Sequence, residues 1–309
     1  MSLMERTELA LARHFDAACG TGAPPQLVLA MRHAVFSGGA RIRPQLCMAV
    51  AVACGDRQPA LTDAAATALE LMHCASLVHD DMPTFDDADT RRGRPTVHKA
   101  FGDQLALLAG DALIVMAYRV LLQAGAGADP LCRLRLLDTL TEGVGLPAGI
   151  VAGQAWECES RADLSQYQRA KTGALFVAAT CSGAISGGGD PARWSALGDS
   201  LGEAYQVADD IRDVMLEAEA LGKPCGQDAL HMRPSAASAL GLEGALAHFQ
   251  ALIDRASASV PACSCRDMLR QLVLREAQRL VPPVLCERAR LQLAASRSAA
   301  LLGQPVVQA

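Results

Sequence analysis

Apolar residues recur along most of the chain at helical rather than strand spacing. From Leu197 they fall at Leu201, Ala204, Ala208, Ile211, Met215 and Ala218, an i, i+3, i+7 recurrence that marks one face of a helix. The same pattern predicts helices over roughly 5 to 18, 41 to 54, 62 to 80, 103 to 123, 130 to 142, 147 to 158, 163 to 185, 243 to 256 and 266 to 280. Breakers separate these runs at Gly20 to Pro25, Gly55 to Pro59, Gly125 to Pro130, Ser186 to Pro191 and Pro224 to Pro234. Few segments alternate apolar with polar residues, no internal repeat is evident, and no breaker is long enough to be an interdomain linker. The expectation is an all-α bundle of long helices joined by short turns, residues 1–309 forming a single domain.

Composition narrows the possible functions. Of the 309 residues, 51% are hydrophobic, enough for a sizeable core, and only 4% are aromatic. A net charge of −5 argues against nucleic acid as a partner, because such affinity rests on excess Lys and Arg. The most hydrophobic stretch, Leu105 to Leu122, is interrupted by Asp111 and Arg119, so a buried helix is expected there and not a membrane span. Glu5, Arg6, Glu8 and Arg13 stand where a signal peptide needs an apolar run, and the expected compartment is the cytoplasm. The 11 Cys include no CxxC pair, and Cys263 and Cys265 lack further clustered ligands, so most are expected to act as small hydrophobes.

Two acidic clusters carry the candidate chemistry. Residues 62 to 79 are apolar nearly all round, and Asp80, Asp81, Asp86, Asp87 and Asp89 follow at the negative end of that helix. Mutual repulsion and the helix dipole both disfavour this arrangement. Arg91, Arg92 and Arg94 come next and would on their own allow a solvated, ion-paired turn. In the second cluster, helical pitch places Gln206, Asp209 and Asp213 on one face, away from the apolar stripe. Two aspartates at i, i+4 repel unless a cation lies between them. Carboxylate oxygens suit Mg²⁺, which keeps several waters and binds a few carboxylates together with substrate phosphate. Direct cations for a phosphate are available at Arg41, Arg43, Arg91, Arg92, Lys171, Lys223 and Arg233.

With these motifs in place, the chain resembles the trans-isoprenyl diphosphate synthases over roughly residues 35 to 235. SLVHDDMPTFDDADTRRGRPTVHKAF is similar to the family's first aspartate-rich motif, and YQVADDIRD to its second. GGARIRP from Gly38, the pair Gly153-Gln154, KTGALF from Lys171 and LGKPCGQD from Leu221 follow in the family's order. The resemblance implies a bundle of antiparallel helices around a central cavity and a homodimer, with helix 103 to 123 as a candidate interface. Implied substrates are isopentenyl diphosphate and the allylic dimethylallyl, geranyl or farnesyl diphosphate, with Mg²⁺, three ions per site, as cofactor. It further implies that Asp80, Asp86, Asp209 and Asp213 bind metal, supported by Asp81 and Asp210. Arg91, Lys171 and Lys223 would hold the allylic diphosphate, and Arg43, His73 and Arg92 that of isopentenyl diphosphate, with Arg233 a further substrate-binding cation. Thr172 and Gln206 would line the reacting centre. On an apolar helix, a histidine such as His73 is more often an ordinary core residue.

Two positions depart from the family pattern: Ala40 where a Lys is usual, with Arg41 or Arg43 as possible substitutes, and Met232-Arg233 in place of a Gly-Lys pair. Product length is expected from Ala75 and Ser76, five and four residues before Asp80 and roughly 6 to 8 Å along the helix. In the family, bulky residues here stop chain growth early, so two small ones imply a longer product. The two extra residues in the first motif, Pro83 and Thr84, resemble short-chain synthases, and together these features favour a C20 product, as in bacterial geranylgeranyl diphosphate synthases of carotenoid and photosynthetic-pigment pathways. A farnesyl diphosphate synthase, a terpene cyclase and a non-catalytic regulatory subunit are the rival readings.

Overall fold

The periodic runs become helices whose ends lie a few residues from those expected. The computed structural model describes residues 1–125, 127–159, 164–215, 236–285 and 287. Lys223, Met232 and Arg233 lie outside the described residues, as does nearly all of the segment after Leu285. In chain order the helices are α1 (Leu3–Cys19), α2 (Pro25–Val35), α3 (Ile42–Ala53), α4 (Pro59–Asp80), α5 (Val97–Phe101), α6 (Asp103–Gln123), α7 (Pro130–Val144) and α8 (Ile150–Trp156). They continue with α9 (Leu164–Gln168), α10 (Ala174–Gly187), α11 (Ser195–Met215), α12 (Ala236–Ser259) and α13 (Arg266–Leu280). Local chemistry sets the ends. Ser2 and Glu5 form a reciprocal capping box on α1, while α2, α4 and α7 each begin on a proline, whose missing N–H costs nothing there.

Three departures from the sequence-based expectation have physical causes. Helix α2 was not expected, since its 11 residues carry few polar positions to define a face. A two-residue antiparallel ladder pairs Thr90 (β1, Thr90–Arg91) with Pro95 (β2, Arg94–Pro95) in an otherwise helical fold. The run expected as one helix over 163 to 185 is divided between α9 and α10 by a π turn at Arg169–Gly173, where the Ala174 N–H donates to the Arg169 carbonyl five residues back.

The interior contains two apolar clusters. One surrounds α4, which packs most extensively on α6 and also meets α1, α3 and α10; it includes Phe15, Leu61, Leu69, Leu71, Met72, Leu113 and Leu136. The other joins α11 and α12 to α3, α10 and α13 through Leu46, Phe176, Leu197, Leu201, Ile211, Leu252 and Leu269. Helices α3 and α10 take part in both, so the C-terminal ends of α4 and α11 are held on a common frame. By length and composition alone α6 would pass for a membrane-crossing helix, yet Ala106, Ala109, Leu113, Ala117 and Leu121 are buried in the α4 cluster. Cys47, Cys74 and Cys132 are buried, Cys158 is exposed, and the other described cysteines are partly buried and free.

Arg41 does not stand in for the missing cation at Ala40. It takes a left-handed conformation (φ 48°) at the start of α3 and turns its guanidinium inward, donating to Glu70 at 2.7 Å, Glu8 at 2.8 Å and the Val35 carbonyl at 2.7 Å. Both Arg41 and Glu70 are almost fully buried, so removing one partner strands the other's charge. Arg41→Ala is expected to lower stability by about 3 to 5 kcal/mol in urea denaturation. A loss below about 1 kcal/mol would mean that the ion pair does not fasten α3 to α4.

Candidate active site

The acidic residues after α4 adopt their positions by satisfying the carbonyls that a helix end leaves open. Asp86 N–H donates to the Asp80 carbonyl (3.0 Å), Ala88 N–H to that of Asp81 (3.1 Å), and Phe85 and Asp87 N–H to that of Met82. The loop therefore curls back over the helix terminus and returns Asp86 beside Asp80. Asp87 and Asp89 share Lys99 at 3.2 and 3.0 Å, and of the arginines that follow the cluster Arg91 pairs with Asp81 and lies 3.9 Å from Asp80, so ion pairing accounts for part of the turn.

A cleft of about 320 Å³ opens at the C-terminal ends of α4 and α11. Asp80 and Asp86, at and just beyond the end of α4, line it together with Asp209 and Asp213, one helical turn apart on α11. Lys171, Thr172 and Gln206 line it too, and Arg43, His73, Arg91 and Arg92 complete the cationic part. Thus every sequence-expected diphosphate or metal residue that is described lines this one cleft, apart from Arg41, Asp81 and Asp210.

These second aspartates of the two clusters are turned inward. Asp81, 4% exposed, accepts from Arg91 Nε at 2.8 and 2.9 Å on its two oxygens and from Nη2 at 2.6 Å. Burial raises the Asp81 pKa while Arg91 pulls it back. For Arg91, burial works against the charge, but the pairing with Asp81 and the nearby Asp80 and Asp86 outweigh it and leave its pKa raised. Asp210, 1% exposed, accepts from Ala236 N–H at 2.6 Å, Gln206 Nε2 at 3.0 Å and Gln168 at 3.5 Å. Each of these aspartates braces a rim whose exposed face is formed by its neighbours.

Lys171 and Thr172 owe their placement to the π turn. A Cβ on Gly153 of α8 would fall on the Lys171 backbone, and one on Gly202 of α11 would fall on the Gly173 Cα, so both glycines permit close approach to the turn. Lys171 Nζ donates to Glu157 and, at 3.4 Å, to Asp80, while Gln154 Nε2 donates to Asp80 at 2.9 Å. Tyr167 OH donates to Glu157 at 2.6 Å. Thr172 donates to Gln206 Oε1 at 2.9 Å, linking the turn to α11. Sequence reasoning missed Glu157, Tyr167, Tyr205, Arg212 and Arg279; of these, Tyr205 and Arg212 stand within the second aspartate-rich motif and Glu157 three residues after Gln154, while Tyr167 and Arg279 belong to no recognised motif.

On the opposite wall, Arg43 lies over the Phe176 ring at 4.4 Å, its Nε buried with no hydrogen-bond partner, and Arg92 donates to the Gly38 carbonyl. Burial lowers the pKa of both. His73 lies among Arg43, Arg92, Arg91 and Arg41, and burial first, then these charges, hold its pKa well below the ordinary value. It is neutral near pH 7. Ala75 is buried, and the Ser76 hydroxyl donates to the His73 carbonyl at 2.9 Å, so both chain-length positions carry small side chains held against α4.

Oxygen donors from carboxylates suit a hard divalent cation. Among the described residues, no three His, Cys, Asp or Glu side chains already converge as a metal cluster, so the two rims fit cations shared with phosphate oxygens and not a closed protein cage.

A cleft built in this way, on an all-helical frame, defines a class of enzymes that handle diphosphate esters with metal and arginine. The polyprenyl synthetase family model matches residues 24–264, and the chain belongs to that family of prenyltransferases. The geranylgeranyl diphosphate synthase of Cereibacter sphaeroides is 51% identical over 288 residues, covering 93% of this chain and 100% of the relative. That of Rhodobacter capsulatus is 49% identical over 289 residues, covering 93% and 100%. The geranyltransferase of Helicobacter pylori, solved with magnesium and isoprenyl diphosphate, superposes with a TM-score of 0.76 at 26% identity, over 90% of this chain and 98% of that one.

His73 has a lowered pKa in the folded state, so the unfolded chain binds the proton more readily. Its contribution to stability is present above the unfolded value near 6.5 and is lost as pH falls below it. His73→Gln is expected to reduce the fall in melting temperature between pH 7.5 and 5.5. An undiminished fall in that variant would remove His73 from the cause.

Proposed function

We propose that the protein is a Mg²⁺-dependent geranylgeranyl diphosphate synthase that condenses isopentenyl diphosphate with an allylic diphosphate. The feature that supports this reading is that Asp80, Asp86, Asp209 and Asp213 line one cleft that also holds two groups of cations. Lys171 and Arg91 stand beside the Asp80 rim, suited to the allylic diphosphate. Arg43, His73 and Arg92 form the metal-free corner, suited to the diphosphate of isopentenyl diphosphate. Magnesium, three ions per site with substrate in place, would neutralise charge on the departing diphosphate when bound, with Asp80, Asp86, Asp209 and Asp213 as its protein ligands.

The protein's own groups then act by position and charge. Lys171 and Arg91 stabilise negative charge as the allylic C–O bond breaks. The double bond of isopentenyl diphosphate supplies the electron pair for the new C–C bond, and a proton is lost to the released diphosphate. Thr172 and Gln206, locked to one another and through Asp210 to the start of α12, line the reacting centre with fixed dipoles. Leu77, Ala88 and Leu280 help keep water from the allylic cation.

Length follows from the small side chains at Ala75 and Ser76 and from the likeness to two geranylgeranyl diphosphate synthases. The purified protein with Mg²⁺, geranyl diphosphate and isopentenyl diphosphate is expected to yield a C20 product, and Ala75→Tyr mainly C15. An unchanged C20 product from the variant would defeat the assignment of Ala75. Accumulation of C15 by the unaltered protein would favour a farnesyl diphosphate synthase, and no turnover at all a regulatory subunit.

Homodimerisation is proposed through α6. Leu108, Val115 and Leu122, seven residues apart, form a stripe on that helix and are 51%, 66% and 56% exposed. Sedimentation equilibrium is expected to give twice the chain mass, and Val115→Glu to give the monomer. A monomeric parent protein would exclude this interface.

A further inference from the structure

Thr96 and His98 belong to the first aspartate-rich stretch of the sequence, yet neither lines the cleft. They stand at the head of α5, a short helix that Val97 and Phe101 anchor on the apolar cluster around α4. Both are almost fully buried, Thr96 at 2% and His98 at 5% exposure. Beyond each other, the polar groups they meet lie in the loop that carries Asp86. Thr96 N–H donates to the Asp89 carbonyl at 3.1 Å, and its hydroxyl donates to the Ala88 carbonyl at 2.7 Å.

These bonds decide which nitrogen of His98 carries a proton. A hydroxyl has one hydrogen, and that of Thr96 goes to a carbonyl that can only accept it. The 3.0 Å contact between Thr96 Oγ1 and His98 Nδ1 therefore requires Nδ1 to be the donor. On the other side of the ring, Nε2 is buried without a hydrogen-bond partner and faces Asp87 Oδ1 at 3.5 Å. His98 thus spans the loop, backing the Ala88 carbonyl through Thr96 and meeting the Asp87 side chain directly. Asp87 needs such support, because its φ of 43° lies in the left-handed region that residues with a side chain adopt at a cost. Lys99 reaches the same carboxylate at 3.2 Å, but from the exposed side.

We propose that His98 is a positioning residue for metal binding at the Asp80 rim: with its proton on Nδ1 it clamps Asp87 and Ala88, and so holds the Asp86 carboxylate beside Asp80. The inference rests on the reading of Asp80 and Asp86 as magnesium ligands. Asp86 is bounded on one side by its N–H bond to the Asp80 carbonyl and on the other by the clamped pair. Mg²⁺ demands near-octahedral oxygen geometry, so a loosened Asp86 weakens the ion before it weakens contacts to a diphosphate.

Nitrogen NMR of the imidazole rings in the full chain tests the clamp without any substitution. His98 is expected to be protonated on Nδ1, and a ring protonated on Nε2 alone overturns the proposal. Calorimetry of Mg²⁺ binding in saturating inorganic diphosphate, beside steady-state kinetics, tests its consequence. His98→Ala is expected to raise the Kd for Mg²⁺ about tenfold, with the KM for isopentenyl diphosphate changed less than about twofold. His98→Asn, whose amide N–H can take the place of Nδ1–H, should recover most of that affinity, whereas His98→Gln, which reaches toward Nε2, should not. Thr96→Val, close in shape but without the hydroxyl, should reproduce the loss. Unchanged Mg²⁺ affinity in His98→Ala and Thr96→Val overturns the proposal. So does rescue by Gln in place of Asn, and so does an equal rise in the Mg²⁺ Kd and the KM, which marks a purely structural role. Asp86→Asn separates this inference from the reading beneath it. If that variant loses Mg²⁺ affinity and His98→Ala does not, the positioning role alone fails; if neither loses it, the metal reading fails as well.

Discussion

Negative charge gathered on two helices is the constraint on which the rest of this structure depends. Asp80 closes α4, where the helix dipole adds to carboxylate repulsion, and Asp209 and Asp213 repel one another across a single turn of α11. A purely structural solution would disperse these groups into solvent. Here both sets line one cleft. The protein offsets part of the charge with Arg91 and Lys171, and the remainder is suited to cations that arrive with substrate.

Holding this arrangement requires a rigid frame, and the inward-facing aspartates show how it is made. Asp81 and Asp210 each turn away from the cleft and form buried hydrogen bonds that fix the adjoining Asp80 and Asp209. The π turn serves the same end for Lys171 and Thr172. It inserts an extra residue into a helical path, and two glycines on neighbouring helices allow α8 and α11 to press against it. Position in this site therefore comes from packed backbone more than from long side chains.

The cleft has two chemically distinct halves. Near the rims, cations alternate with carboxylates, and Lys171 and Arg91 already have protein partners. Farther back, Arg43, Arg92 and a neutral His73 form a corner dominated by positive charge, with an aromatic stack extending from it to α13.

Much of this was legible in the chain itself. Apolar periodicity located α1, α3, α4, α6, α7 and α11 because each buries one continuous face, and the spacing of Asp209 and Asp213 placed them together on a single turn. Those properties are local, and local order is enough to specify them. What periodicity could not reveal was the direction a side chain takes when several partners compete for it. Arg41, two residues from Arg43, went to the buried Glu70; Asp81 and Asp210 turned inward; a helix was divided at Arg169–Gly173; and Arg279 reached the cleft from a helix distant in sequence. Each of these outcomes depends on groups 10 to 74 positions away whose contacts exist only once the helices have packed, so only the tertiary structure decided them.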